Sequence, residues 1–543
     1  RFGYNLTIAA TGAIPKKGSA PGGEIRVTYD GTNGICLKYG IKVRDQVKFP
    51  SALDVKAVLA ELHEEGGSFI SLLFDVSEAH RRVLVFPEEW GRQACQVRGS
   101  AAAARQLKKS GASESTSSSS LVDVPPAKIS RADFTEAELE EDIYLNCVGT
   151  FGVTSAGYWW GRAGGAIIRL THYVLGFADA LWALLYSDDG MLTGRTERYE
   201  RGLLLHLFVL VVVNVPISWR KVKGGPQTEW IGYWVDCGRF ELGVSELRAA
   251  WAVRWLTDKA TEGQVRLGEL KEGLGRLQFL AGPLEFLRPF LGPLYAWCSA
   301  SPRFARPRLP TLIVLILRFL AAELRDVCTM ACEQKALHVG EAFRIDAKAE
   351  GDCVAIGGWR TLDTSRASEA IWFSVVLTRS TAPWAFARGE PFRTIASLEL
   401  LGTLVGLMVL MPELESRGDR AATLTLTSGT DNQGNSYLLD RMMTTKYPLV
   451  VILMELAHQM RRRRLVLRAG WLPRLENEEA DDLTNSDPSA GPRTVEVQPS
   501  APNLCQVLSK EVVDSKLTRS SCRVVLEHLP RTELGPSSER KSS

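Results

Sequence analysis

Two apolar stretches that end in acidic residues constrain the fold of this chain more than any other feature of its sequence. Positions 181–186 (LWALLY) have the pattern of a buried strand, and Asp188 and Asp189 follow almost at once. The second of these acids precedes a glycine, and Asp-Gly is among the strongest tight-turn signals, so the sequence predicts a hairpin with both acids at its turn. Positions 69–74 (FISLLF) also have the length and aliphatic content of a buried strand, and Asp75 comes directly after them. We therefore expect carboxylates to emerge at the ends of two strands.

Carboxylates that meet in this way suit one kind of chemistry. Magnesium prefers hard oxygen ligands. Phosphoryl transfer leaves the protein little covalent work beyond holding metal ions against the attacking and leaving oxygens. Asp75 and Asp188 therefore predict a two-metal site for nucleotidyl transfer. An Asp-Asp-Gly turn taken alone is more often a solvated hairpin, so this interpretation depends on the motifs around it.

Several motifs in the first half of the chain occur in the order found in reverse transcriptases. The sequence DVSEAH at 75–80 resembles the first palm motif of that family, in which an Asp at a strand end is followed four residues later by Ala. TFGVTSA at 150–156 resembles the next palm motif, and YSDD at 186–189 resembles the YxDD box. The style of these motifs is nearest to that of DIRS-type retrotransposons and pararetroviruses.

The resemblance implies roles for the charged residues of the palm. Asp75 and Asp188 would be magnesium ligands, and Asp189 would support the site. Lys221 resembles the lysine that lies near the pyrophosphate leaving group, where a cation can neutralise developing charge or donate a proton. Lys223 is close enough in sequence to be an alternative.

The resemblance also implies residues that contact the incoming nucleotide. His80 stands where the family has Tyr or Phe, a bulky residue that excludes a ribose 2′-hydroxyl. Phe151 would pack against the base or sugar, and Gly152 would allow a close approach of the backbone. Arg26 resembles an arginine of the fingers that contacts the triphosphate, as a guanidinium fork can.

A second set of acids occurs in the last third of the chain, in predicted elements that alternate between strand and helix. Asp346 ends a short apolar stretch that leads into a glycine-rich hairpin pattern. Glu399 lies in a helix so apolar that it must be mostly buried, where an acid without a role is costly. Asp431 follows an alternating strand pattern. Asp481 lies in NEEADDL at 477–483, which opens a helix.

This order of elements and the Asn-x-x-Ala-Asp-x-Leu pattern resemble ribonuclease H. The resemblance implies that the four acids bind two magnesium ions, with Asp482 as an alternative to Asp481. Without metal, carboxylates so close together would raise one another's pKa and partly protonate. Trp471 and Pro473 stand in the loop where many cellular enzymes have a histidine, so we expect product release or metal exchange to differ.

The length of the chain, 543 residues, predicts roughly three or four domains of ~150 residues each. The motifs divide it into fingers and palm at about 1–257, a thumb or connection at 258–339, and a ribonuclease H-like domain at 340–487. The polar tail at 488–543 and a low-complexity insertion at about 98–130 are predicted to be mostly disordered. The expected fold class is therefore multidomain, α/β and α+β, with a right-hand polymerase followed by a ribonuclease H fold.

The overall composition says less about function than the motifs do. Sixty-five basic and sixty-two acidic residues give a net charge of +3, so local clusters must bind nucleic acid, and the four arginines at 461–464 are the best candidate. Ten cysteines without CxxC pairs predict a reducing, intracellular location, cytoplasmic or nuclear. The apolar runs at 203–213 and 312–317 are too short to span a bilayer. The chain begins at Arg1 with no Met before Met191, which predicts a piece of a longer polyprotein.

Taken together, these patterns predict an RNA-directed DNA polymerase with an associated ribonuclease H, using two Mg²⁺ ions per site or Mn²⁺ in their place. Its partners would be an RNA template, a DNA or RNA primer, deoxynucleotides and an RNA–DNA hybrid. One alternative is a decayed or domesticated copy that binds nucleic acid without polymerising, as the Ser-rich insertion and His80 suggest. Another is a ribonuclease H-like recombinase or integrase, which would leave the YxDD hairpin unexplained.

Overall fold

The computed structural model describes about three quarters of the chain. The described residues are 8–9, 11–15, 25–31, 37–97, 142–178, 181–301, 306–326, 329–331, 337–365, 370–387, 389–414 and 423–485. The predicted disordered insertion and the predicted disordered tail lie outside the described residues.

Helices and strands both occur along the described chain, which confirms the predicted mixed α/β, multidomain class. The α-helices are α1 (Leu37–Gly40), α2 (Ala52–Glu65), α3 (Thr154–Leu175), α4 (Tyr199–Val212), α5 (Glu246–Glu262), α6 (Leu267–Leu280), α7 (Arg288–Ala300), α8 (Thr311–Asp326), α9 (Ile395–Leu410), α10 (Gln433–Arg441), α11 (Leu449–Arg462) and α12 (Glu478–Asn485). The strands are β1 (Ile8–Ala9), β2 (Thr11–Pro15), β3 (Ile25–Tyr29), β4 (Phe69–Asp75), β5 (Ala94–Val97), β6 (Asp142–Leu145), β7 (Trp182–Tyr186), β8 (Asp189–Arg195), β9 (Lys223–Gly225), β10 (Gln227–Trp230), β11 (Tyr233–Asp236), β12 (Glu241–Val244), β13 (Thr329–Ala331), β14 (Leu337–Glu350), β15 (Cys353–Arg360), β16 (Trp372–Leu377), β17 (Leu424–Thr430) and β18 (Leu465–Trp471).

Contacts between residues divide the chain into two units. The first comprises Arg1–Pro50 and Ile70–Gly225, and the second comprises Ser51–Phe69 and Pro226–Ser543. The finer division into fingers, palm, thumb and ribonuclease H-like domains, with limits near positions 257, 339 and 487, stays a prediction.

The first unit is built around a four-stranded sheet in the order β7-β8-β4-β9. β7 and β8 form an antiparallel hairpin, and β9 pairs antiparallel with β4. Helices α3 and α4 pack against each other. Phe74 from β4, Leu192 from β8, Trp160 from α3 and Leu210 from α4 form one buried core. Burial of these apolar side chains is what holds the two helices to the sheet.

The turn of the β7–β8 hairpin lies earlier than the sequence predicted. Asp189 is already the first residue of β8, so Ser187 and Asp188 form the two-residue turn. Gly190 lies inside the strand, where a Cβ atom would come within 2.2 Å of the ring of Phe74. The glycine is therefore required for close packing rather than for the turn.

The second unit contains a helical core and two sheets. The first sheet has the order β10-β11-β12-β13 and is antiparallel throughout. Helices α5 to α8 share one apolar core, in which Leu256, Leu274, Leu291 and Leu317 are almost completely buried. This region overlaps the predicted thumb or connection segment.

The other sheet of the second unit has five strands in the order β16-β15-β14-β17-β18. β14 pairs antiparallel with β15 and parallel with β17, and β18 is parallel to β17. The sheet is thus antiparallel on one side of β14 and parallel on the other. The carboxyl ends of parallel strands meet at one edge, so residues that follow β17 come close to those at the middle of the longer β14.

Helix α9 covers this sheet and is apolar around its whole circumference, the pattern of a helix inside a core. Among the described residues, the stretch Pro391–Leu410 is long and apolar enough to cross a membrane, and 72% of its most apolar window is buried inside the protein. Gly406 lets it approach β14 closely, because a Cβ atom there would lie 2.9 Å from the ring of Phe343.

The arginine run at 461–464 is not a continuous exposed basic surface. Arg463 is 1% exposed. Arg461 donates from Nε to Glu323 of α8 over 2.9 Å, and its guanidinium lies 4.4 Å from the ring centre of Phe286. Met454 of α11 is buried in the same core as helices α5 to α8. One of the four arginines, Arg461, thus joins α11 to the helical core, and a second, Arg463, is buried.

Candidate active sites

The first acidic cluster is organised by Asp75, the last residue of β4. Its carboxylate is only 14% exposed and accepts two hydrogen bonds of 2.8 Å, from Ser218 Oγ to Oδ2 and from Lys221 Nζ to Oδ1. The backbone N–H of Ser218 also donates to the carbonyl of Asp75 over 2.8 Å. The segment that contains Ser218 and Lys221 therefore orients one predicted metal ligand from two sides.

The hairpin turn is held beside this ligand by two hydrogen bonds. Val76 N–H donates to the carbonyl of Asp188 over 2.8 Å, and Trp160 Nε1 donates to the carbonyl of Ser187 over 2.8 Å. Ser187 has a φ of +54°, which is uncommon for a residue with a side chain and costs local strain. The contacts around the turn maintain this strained conformation and bring Asp188 and Asp189 next to Asp75.

The electrostatics of the cluster follow from this proximity. The pKa of Asp189 is raised to about 6, first by burial, then by the neighbouring charges of Asp188 and Asp75, while Lys221 lowers it. Asp189 keeps an exposed face at the turn, but the protein around its carboxyl group limits hydration. The three acids thus lie close enough to affect one another's charge, and Lys221 opposes their repulsion.

The aromatic residues predicted to contact the nucleotide lie together. The rings of His80 and Phe151 meet edge to face, with their centres 4.9 Å apart. Gly152 has a φ of +98°, and a Cβ atom there would lie 1.9 Å from the carbonyl oxygen of Tyr29. Phe151 also accepts a hydrogen bond from the N–H of Tyr29 over 3.0 Å. The need for glycine at position 152 is therefore explained by the passing β3 strand.

The other residues predicted for the first site are Lys221, with Lys223 as its alternative, and Arg26. Lys221, and not Lys223, contacts the acids. Lys223 is exposed on β9, opposite Leu73. The backbone of Arg26 pairs with Ile14 between β3 and β2, and its side chain lies outside the described part of the chain.

The second acidic cluster lies on the five-stranded sheet. Asp346 comes from β14, Glu399 from α9, and Asp431 directly follows β17. One oxygen of each carboxylate can be chosen so that all three lie within 4.8 Å of one another. Asp346 and Glu399 are 5% and 3% exposed, respectively. The predicted strand, helix and strand thus bring three of the four predicted acids together.

Burial dominates the electrostatics of this cluster. The pKa of Asp346 is raised to about 6 by burial and then by Asp431 and Asp481, against weaker opposing hydrogen bonds. The pKa of Glu399 is raised well above its usual range, again by burial first and then by Asp346 and Asp431. Thr430 Oγ1 donates to Glu399 over 3.3 Å and partly offsets this.

Asp481 lies on α12 at the rim of the cluster and is not one of the three close acids. Asn477, just before the helix, donates to the carbonyl of Ile345 over 3.0 Å, and Thr484 donates to Asp346 over 3.2 Å. These bonds dock α12 beside β14. Asp482 is fully on the exposed side of the helix. The structure therefore favours Asp481 over Asp482 as the acid next to the cluster.

Several residues of the two sites were not predicted from the sequence. They are Trp160, Ser218, Thr430, Thr484 and Arg474. Some had a local signal: Thr484 lies one helical turn after Asp481 and so on the same face, and Ser218 lies three residues before Lys221. Trp160 and Arg474 had none, because their partners are set by the fold.

Both clusters fit a divalent cation by the chemistry of their donors. Carboxylate oxygens are the ligands that Mg²⁺ prefers. Burial first, and then repulsion between carboxylates, raises the pKa values of Asp189, Asp346 and Glu399, and a dication would relieve that repulsion. The second cluster is the better defined, because three of its ligand oxygens are already within 4.8 Å.

No protein-family model matches the sequence, and no curated protein is similar to it. Among solved structures, the chain is similar to a foamy viral protease-reverse transcriptase in complex with double-stranded DNA, with 11% sequence identity and a TM-score of 0.41. The alignment covers 85% of this chain and 65% of that chain. This chain therefore spans about two thirds of the length of the viral protein in that structure.

Proposed function

We propose that this protein is an RNA-directed DNA polymerase joined to a ribonuclease H, from a retroelement similar to DIRS-type retrotransposons or pararetroviruses. The observation that supports the polymerase most strongly is the meeting of Asp75, Asp188 and Asp189 at one end of a four-stranded sheet, with Lys221 bonded to the first of them. A solvated hairpin would need neither the buried carboxylate nor the strained turn that holds the acids together.

In the proposed polymerase site, each residue has a distinct task. Asp75 and Asp188 would hold two Mg²⁺ ions, which supply charge to the reacting phosphate and activate the attacking oxygen. Ser218 orients the carboxylate of Asp75. His80 and Phe151 would lie against the sugar and act as the gate, since exclusion of a 2′-hydroxyl needs bulk rather than a phenol. The primer 3′-oxygen bonds to the α-phosphorus while the bond to pyrophosphate breaks.

Lys221 would act on the leaving group of this reaction. Its side chain is 62% exposed, so it can leave Asp75 at little cost once a metal neutralises that carboxylate. A cation beside the departing pyrophosphate stabilises its charge. Mn²⁺ can replace Mg²⁺ at such oxygen ligands.

In the proposed nuclease site, Asp346, Glu399, Asp431 and Asp481 would hold the metal ions, which would supply positive charge to the attacking and leaving oxygens when water cleaves the RNA strand of a hybrid. The bond that forms joins water oxygen to phosphorus, and the bond that breaks releases the 3′-oxygen. Thr430 and Thr484 orient the carboxylates through the hydrogen bonds described above. The substrates of the two sites would then be an RNA template, a DNA or RNA primer with deoxynucleotides, and the RNA–DNA hybrid that they produce.

The polymerase proposal is tested by primer extension on an RNA template with Mg²⁺. We expect the wild type to extend the primer and Asp188→Asn to lose about 100-fold or more of the rate, because a metal ligand is lost. Glu200→Gln is the matched control, since it removes an exposed acid of α4 and should leave the rate unchanged. A wild type that fails to extend any primer rules out the polymerase.

The nuclease proposal is tested by cleavage of a labelled RNA–DNA hybrid. Glu399→Gln should abolish cleavage, while Glu350→Gln, at the exposed end of β14, should cleave like the wild type. Equal cleavage by Glu399→Gln and the wild type refutes the assignment of the second site.

One observation favours a second candidate function, a nucleic-acid-binding protein that no longer catalyses either reaction. Both clusters have a basic side chain bonded to a predicted metal ligand, Lys221 to Asp75 and Arg474 to Asp481. Each ion pair neutralises a carboxylate that a metal ion would need as a ligand. A protein that binds template and hybrid tightly but shows no Mg²⁺-dependent product in either assay would have this function.

A further inference from the structure

Arg474 lies at the rim of the second acidic cluster, in the short 3₁₀ turn between β18 and α12. Its Nη2 donates to Asp481 Oδ1 over 3.0 Å. The other oxygen of that carboxylate accepts from Asn485 over 2.6 Å. Arg474 thus bonds to the one predicted ligand that stands apart from the three close acids.

The two partners of this ion pair differ in exposure. The Arg474 side chain is 76% exposed, whereas that of Asp481 is 29% exposed. The guanidinium therefore lies on the solvent side of the carboxylate, where a nucleic-acid strand would have to arrive. Asp346 and Asp431 also act on it electrostatically and, after Asp481, help to raise the pKa of Arg474. The arginine is thus attracted by the whole cluster and not by one residue alone.

We propose that Arg474 binds the phosphate of the RNA strand next to the bond that is cut, and that Asp481 holds the guanidinium ready until the substrate arrives. This inference rests on the proposed nuclease function. A guanidinium is always charged and presents a planar fork of five N–H donors that matches the oxygens of a phosphate. Among the described residues, Arg474 bonds to Asp481 alone, so most of these donors remain available for a phosphate.

The same ion pair makes Arg474 a competitor of the metal. Asp481 cannot be fully shared between a guanidinium and a dication, so each must weaken the other's hold on the carboxylate. Removal of Arg474 should therefore affect two binding reactions in opposite directions. Metal binding should strengthen, and hybrid binding should weaken. A residue that merely supports the fold would not produce this opposed pair of effects.

The test uses the full chain with Asp188→Asn as background, which reduces metal binding at the first cluster. Mn²⁺ binding is measured by electron paramagnetic resonance without nucleic acid, and hybrid binding is measured in Ca²⁺, which should not support cleavage. Arg474→Gln should bind Mn²⁺ about two- to fivefold more tightly, as loss of an exposed ion pair allows. It should bind the hybrid about tenfold more weakly, as loss of a charge-assisted hydrogen bond requires.

Two further variants distinguish the role of the guanidinium from that of charge. Arg468→Gln removes a different exposed arginine, which lies on β18, and should change neither affinity. Arg474→Lys keeps the charge without the fork, so it should recover part of the hybrid affinity. Hybrid binding by Arg474→Gln that equals that of the wild type overturns the inference, and so does Mn²⁺ binding that weakens.

Failure of the nuclease proposal gives a different result. A wild type that does not cleave the hybrid, while Arg474→Gln still shows the opposed changes in affinity, contradicts the activity and upholds the role of Arg474 in binding. A wild type that cleaves normally, with unchanged KM and affinity in Arg474→Gln, contradicts only the role of Arg474.

Discussion

At the scale of single residues, Gly190 has no room for a side chain. A Cβ atom would lie 2.2 Å from two ring atoms of Phe74, which precedes Asp75, while Gly190 itself follows Asp189. Gly190→Ala must move either the ring or β8, so we expect the free energy of unfolding to fall by about 1–3 kcal/mol and primer extension to fall with it. Urea unfolding and the extension assay measure the two effects.

The matched control for this substitution is Gly165→Ala on α3, where nothing lies within 4 Å of the added Cβ atom. An alanine in an open helical position should raise the free energy of unfolding by about 0.5–1 kcal/mol. Gly190→Ala with the stability of the wild type would show that β8 can move away from the ring without cost.

Glu399 illustrates a conflict between stability and the proposed chemistry. The side chain is 3% exposed, and burial is the main cause of its raised pKa. Glu399→Gln keeps the shape and an oxygen that can accept from Thr430, but removes a charge that is costly to bury. We expect it to raise the free energy of unfolding without metal by about 1 kcal/mol while cleavage is lost. A thermal melt without divalent ions checks this, and a lower melting temperature contradicts it.

The proximity of the acids in each cluster could be predicted from the sequence, because most of them follow or interrupt an apolar run and because the order of the motifs resembles that of known families. Their supporting hydrogen bonds could not. Trp160 reaches Ser187 from a helix that begins more than thirty positions earlier in the chain. Arg474 reaches Asp481 from the 3₁₀ turn that precedes α12, and the path of the chain through this turn is not specified by the spacing of the two residues.

At the scale of secondary-structure elements, the β7–β8 hairpin was predicted, but its turn was misplaced. The Asp-Gly signal is local, whereas the position of the turn depends on the contact between Gly190 and Phe74 across the sheet. Tertiary packing therefore decided between two locally acceptable registers. Helix α9 was predicted correctly as buried, since an element that is apolar all round has no polar face to present to water.

His206 of helix α4 predicts how the stability of the protein depends on pH. This ring is 0% exposed, its Nδ1 lies 3.1 Å from Thr171 Oγ1, and its pKa is lowered to about 4 by burial and then by His172. The unfolded chain takes up a proton near pH 6.5, but the folded chain does not until about pH 4. The contribution of His206 to the free energy of unfolding is therefore fully present above pH 6.5 and should fall by about 3 kcal/mol as the pH drops to 4.

Urea unfolding at a series of pH values measures this loss. Other groups titrate in the same range, so the decisive quantity is the difference between the wild type and His206→Leu, which lacks the proton uptake. His172→Gln, an exposed change on α3, should retain most of the wild-type pH dependence because burial is the larger cause. Identical pH profiles for His206→Leu and the wild type would mean that the His206 ring takes up its proton at the same pH in the folded and the unfolded chain.

At the scale of the whole molecule, the second unit contains contacts between elements on either side of the predicted boundary near position 339. Helix α11 lies within the predicted ribonuclease H-like region, yet its Met454 and Arg461 pack against the helical core. This could not be predicted, because an apolar face on a helix has the same periodicity whichever partner covers it.

Hydrogen exchange tests these contacts. In an isolated fragment of residues 340–487, the amides of α11 should exchange about tenfold faster or more than in the full chain, because one face loses its cover. Those of α9 should keep their protection, since this helix is buried against its own sheet. Equal protection of α11 in both proteins would mean that residues 340–487 fold without support from the helical core.

The pairing of β5 with β6 has a consequence for how this protein tolerates changes in length. Val97 lies opposite Asp142, so the two ends of the chain segment 98–141 are already held side by side by the ladder. The entropy of closing a loop grows only with the logarithm of its length, and each doubling costs about 0.6 kcal/mol. A flexible addition between these two strands should therefore change the free energy of unfolding by less than about 1 kcal/mol. Chains that differ in length between Val97 and Asp142 could thus share the same placement of Asp75 and Asp188.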